Sequence, residues 1–85
     1  MALPNQPVTV TPAQIEELNR KLSNMRHDIN NHVSLIMAAV ELLRQRPQTA
    51  ERTLTTLSEQ PRKITDSVLS FSGDFERAFG ITRKP

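Results

Sequence analysis

The feature that most constrains this chain is a spacing. Ile15, Leu18, Leu22, Met25, Ile29, His32, Ile36, Ala39 and Leu43 recur at steps of three and four, the period of one helix face packed against a partner. Pro47 interrupts the pattern, and Leu54, Leu57, Pro61, Ile64, Val68, Phe71, Phe75 and Ala78 resume it. Two long helices joined by a short turn form an antiparallel hairpin. The start of the first is signed clearly: Thr11 is a good N-cap, Pro12 suits the first helical position, and Gln14 completes a capping box. A helix from Pro12 to about Arg46 would be on the order of 50 Å long.

The turn is expected at Arg46 to Thr49 and the second helix from about Thr49 to Phe79. Gly80 fits a left-handed stop, with Ile81 folding back toward Phe75. Pro61 cannot donate to the carbonyl of Leu57 and predicts a bend, while Gly73 costs about 1 kcal/mol relative to alanine. An antiparallel count sets Pro61 level with Val33 to Ile36, where it either shapes a groove or is simply tolerated. Residues 1–10, with Pro4 and Pro7, read as a flexible lead-in, 11–80 as the helical domain and 81–85 as a tail.

A hairpin buries one face of each helix, and between Val33 and Leu43 only Ser34 and Glu41 are polar, so that stretch needs cover on several sides. With 85 residues, 36% of them apolar, the chain makes one small domain and encloses no deep pocket. It has no cysteine, so neither a disulfide nor a thiolate zinc site can stabilise it. Oligomerisation remains. The expected fold is all-α: an antiparallel helical hairpin that pairs about a two-fold axis into a four-helix bundle, an obligate homodimer. Three Phe, no Trp or Tyr and a net charge of +2 argue against nucleic acid as a partner. No apolar run approaches the roughly 20 residues of a membrane span, and the first ten residues lack the pattern of a signal peptide, so a cytoplasmic location is expected.

Chemistry concentrates in Met25-Arg26-His27-Asp28-Ile29-Asn30-Asn31-His32. His27 lies two residues past Met25 and two before Ile29, which points it away from the seam. Asn24 and Asn31 fall one turn to either side of it, and Asp28 sits beside it toward the flank. Asn19, Asn24, Asn30 and Asn31 all lower helix propensity, a cost that makes sense if the amides have work to do. A neutral imidazole is a capable nucleophile, improved when a carboxylate such as Asp28 accepts the proton of the other nitrogen. His32 falls on the seam and reads as a core or interface histidine. His27 and His32 stand five apart, a spacing that does not converge on a metal. Gly73 and Gly80 are too far apart to form a nucleotide-binding loop, so no cofactor is expected in this chain.

These residues, inside one long helix followed by a second, resemble the dimerisation and histidine-phosphotransfer domain of bacterial sensor histidine kinases, over about residues 14–80. The resemblance implies that His27 is the phosphoacceptor, Asp28 the base that activates it, and Asn31 the residue that positions water when the domain acts as a phosphatase. It implies a response-regulator receiver domain as partner, and an ATP-binding kinase domain, in cis or in trans, that would hold ATP and magnesium. On this reading the chain is part of a kinase or a phosphotransferase rather than a complete kinase. The competing expectation is a helical bundle that dimerises or regulates a larger protein without phosphorylation; a third is a stand-alone histidine phosphotransferase.

Overall fold

The computed structural model describes residues 2–82; the expectations for Met1 and for 83–85 lie outside them. Helix α1 spans Pro12–Gln45 and helix α2 spans Ala50–Phe79, with a 3₁₀ turn at Pro47–Thr49 between them. The Thr11 hydroxyl accepts from the amide of Gln14 at 3.1 Å, and the Gln14 side chain accepts from the amide of Thr11 at 2.8 Å. Both bonds of the capping box are thus made. At the other end Gly80 takes φ 65°, and the amide of Ile81 reaches back to the carbonyl of Glu76 at 2.9 Å, closing α2 as its sequence predicts. Beyond it, Ala2 and Thr82 exchange two backbone hydrogen bonds, at 2.7 and 2.9 Å, across the open end of the hairpin.

The reversal is sharper than the sequence suggests. Arg46, held out of the α region by the proline that follows it, is the pivot, at φ −136° and ψ 74°. Pro47–Thr49 already run back alongside α1, and Thr49 caps the turn by donating its hydroxyl to the carbonyl of Arg46. The pairing therefore centres on Arg46 rather than on the middle of the 46–49 segment. Gln60 faces His32, so Pro61 sits about a turn closer to His27 than a count from the loop's centre puts it.

The inner face of α2 also differs from its apolar stripe. Thr53 and Gln60 are the buried residues of that helix, at 5% and 2% exposure, while Leu54, Val68 and Phe75 stand 40–52% exposed and Pro61 is exposed with them. Leu57, Ile64, Phe71 and Ala78 are half-buried, as a seam requires. The stripe read from the sequence therefore points about half a helical step to one side of α1.

The stripe of α1, by contrast, faces α2: Met25, Ile29, His32, Ile36, Ala39 and Leu43 are half-buried or buried, while Val33 and Val40, one residue past His32 and Ala39, are 40% and 39% exposed. In two antiparallel right-handed helices, positions one step past the inner face fall on the same side of the pair. Val33 and Val40 thus share one broad face with Leu54, Pro61, Val68 and Phe75. Ala39 is the one buried apolar residue among those described. The accessible surface of 6708 Å² compares with about 5,100 Å² for a compact monomer of this mass, and the radius of gyration of 18.1 Å with about 12 Å.

Candidate functional site

The polar face is built from the positions one step before the inner ones. Asn24 and Asn31 precede Met25 and His32 on α1, and Asp66 precedes Ser67 on α2. Between the helices on this side runs a shallow groove lined by Lys21, Asn24, Asp28, Asp66, Ser70 and Asp74. Lys21 crosses it to Asp74 at 3.5 Å, and Arg77 pairs with the same carboxylate. Toward the turn the groove becomes apolar on the α1 side, at Leu35, Ala38 and Leu42, with Arg52 and Thr56 opposite.

His27 is exposed on the outer edge of α1, as its position between Met25 and Ile29 requires. One turn on, the Asn31 carboxamide nitrogen lies 3.3 Å from His27 Nε2. A carboxamide nitrogen can only donate, so as a hydrogen bond this contact has Nε2 accepting, the arrangement of a ring with its hydrogen on Nδ1. Asp28 is brought into the groove. Among the described residues no hydrogen bond or ion pair joins it to His27, so the structure unites two of the three residues singled out from the sequence and leaves the carboxylate one position round the helix.

His32 enters the seam. Its Nδ1 lies 2.8 Å from Gln60 Oε1, and Gln60 Nε2 donates to the carbonyl of Thr56 at 3.0 Å. Because the Gln60 nitrogen is engaged with a carbonyl, its oxygen accepts, and His32 Nδ1 carries a hydrogen. Both ends of Gln60, the most buried side chain among the described residues, are satisfied, as burial of an amide demands. Sequence reading missed Gln60, and with it the groove carboxylates Asp66 and Asp74. The signal was available: Thr53, Gln60, Ser67 and Asp74 recur every seventh residue, and a count about Arg46 pairs 32 with 60.

At the open end the Glu17 carboxyl is held below its ordinary range, chiefly by its hydrogen bonds with Arg20, and Arg20 is raised by the same contact. Among the described residues no group of three or more His, Asp or Glu is arranged to hold a metal ion, and no helix is long and apolar enough to cross a membrane. Comparison with protein-family models, curated proteins and solved structures returned no match. The functional reading therefore rests on these residues and their geometry.

Proposed function

We propose that the chain is a dimeric histidine-phosphotransfer module of two-component signalling, in which His27 accepts a phosphoryl group and exchanges it with the aspartate of a receiver domain. The observation that carries the reading is His27 itself: exposed, on a long helix, with a carboxamide nitrogen one turn away at 3.3 Å from its Nε2. Nε2 attacks phosphorus, the P–O bond of the acyl phosphate breaks, and the receiver aspartate leaves as carboxylate. The Nδ1 proton then passes to Asp28, which a change of side-chain rotamer brings to the ring, or to water. Asn31 orients the attacking water when the same surface hydrolyses the receiver's phosphate. ATP and magnesium belong to a separate kinase domain.

Dimerisation fits this reading, and what supports it is the tilt of the α2 stripe toward the side on which Val33 and Val40 are exposed. A helix in a four-helix bundle aims its stripe at the bundle centre rather than at one neighbour. A second copy placed on the face of Val33, Val40, Leu54, Val68 and Phe75 would cover the apolar side chains exposed on that side, and would keep His27 outside.

The test is direct. Incubated with a receiver phosphorylated on its aspartate, the protein gains acid-labile, base-stable label on His27; ATP alone leaves it unlabelled. His27→Gln abolishes the label with the dimer intact, and Asp28→Ala slows transfer by roughly 10²-fold. Label that survives His27→Gln would place the acceptor elsewhere and defeat the assignment of His27, and a wild type that takes no label would leave the bundle as a dimerisation element without phosphotransfer.

A further inference from the structure

We infer that Asn31 is a gate on His27: its carboxamide selects the Nδ1-protonated tautomer and occupies the Nε2 lone pair until an incoming phosphoryl group displaces it. The inference rests on the reading of His27 as a phosphoacceptor and adds a control on the reacting atom. Asn31 sits four residues after His27, the spacing that stacks two side chains on one helix face, and its nitrogen meets Nε2 at 3.3 Å. Since no bond from Asp28 to the ring is present among the described residues, selection of the tautomer falls to Asn31.

The consequence is two-sided. By donating to Nε2, Asn31 keeps the hydrogen off that nitrogen and so preserves the nucleophile. The same bond ties up the lone pair that must attack, so attack requires the carboxamide to swing away. The contact is exposed and long for a hydrogen bond between neutral groups, which limits the rate penalty to about two- to fivefold.

The gate is tested without any protein partner by phosphoramidate, a small phosphoryl donor. His27 Nε2 displaces ammonia: the donor's P–N bond breaks, the Nε2–P bond forms, and the Nδ1 proton leaves to solvent. The rate of labelling at His27, located by fragment mass spectrometry, is compared for the wild type, Asn31→Ala and Asn31→Asp. Tautomers are read by long-range ¹H–¹⁵N correlation. Asn31→Ala should lose the Nδ1–H preference, and its labelling rate, divided by the fraction of the Nδ1–H tautomer read in the same spectra, should be about two- to fivefold above that of the wild type. Asn31→Asp should label more slowly than the wild type, because a carboxylate accepts rather than donates and draws the hydrogen onto Nε2. Equal rates in all three proteins, or a wild-type ring with its hydrogen on Nε2, would overturn the gate while leaving His27 a phosphoacceptor. The expected ratios from phosphoramidate, with no labelling by a phosphorylated receiver, would uphold the gate and sink the two-component reading instead.

Discussion

On one side of the hairpin the exposed side chains include Val33, Val40, Leu54, Val68 and Phe75; on the other they include Asn24, Asn31, Asp66 and Ser70, with Leu35 and Leu42 toward the turn. Both sides come from the same two helices, and they lie close in sequence: Val33 stands two positions from Asn31, and Val68 two from both Asp66 and Ser70. About 100° of helical phase separates consecutive residues, and that angle decides on which side of the hairpin a side chain is exposed. If a second copy covers the apolar side, as proposed, that side carries the association energy, whereas the polar side contributes little to stability and is free to hold groups that would be costly in a core.

The sharpest way to break this division is a matched pair of charges. Val68→Asp puts a carboxylate into the proposed dimer face and should leave no folded dimer at micromolar concentration by sedimentation and circular dichroism; Ser70→Asp, two residues away on the groove side, should change stability by under about 1 kcal/mol. A Val68→Asp protein that remains a folded dimer would refute the assignment of the face. Phe75→Ala should cost about 3 to 5 kcal/mol if a partner covers that ring, and much less if it stays as exposed as it is in a single hairpin.

The seam between the two sides is probed by Gln60. Gln60→Ala strands the Nδ1–H of His32 in a part-buried site and opens a cavity, an expected loss of about 1 to 3 kcal/mol in denaturant unfolding. His32→Leu combined with Gln60→Leu removes both polar partners and should recover most of that loss. A double mutant less stable than Gln60→Ala would show that the pair does more than satisfy itself.

Effects on the polar side are smaller. Asn31→Ala should raise stability by a few tenths of a kcal/mol, since alanine is the better helix former, while it alters reactivity at His27. Smallest of all is Glu17→Gln. With its folded pKa lowered by Arg20, the carboxylate stabilises the fold above its ordinary pKa, and that contribution fades as pH falls through the lowered folded value. The wild type and the variant should therefore differ slightly near neutrality and converge in acid; a difference that grows as pH falls would reverse the sign assigned to Glu17.

Much of this architecture is legible in the chain. The three-four spacing, the capping box at Thr11 and the glycine at 80 are local signals, each satisfied within a turn of helix, so they act before any tertiary contact exists. The outward placement of His27 and the seam position of His32 follow from the same periodicity, since an angle around a helix is counted from neighbouring residues. A count within one helix could not show which residue of the other it meets. That depended on where the chain reverses, and the reversal at Arg46 was decided by the restriction that Pro47 places on its predecessor together with the packing of the 3₁₀ turn. The same holds for α2, whose apolar stripe is plain in sequence but whose inner face is a row of Thr53, Gln60 and Ser67 beside it. A stripe records where the apolar surface lies on a helix, and only the arrangement of helices decides what it faces. The Asn31 contact to His27 Nε2 uses the four-residue spacing visible in the chain, whereas the turn of Asp28 into the groove is a product of side-chain rotamers set by the surrounding surface.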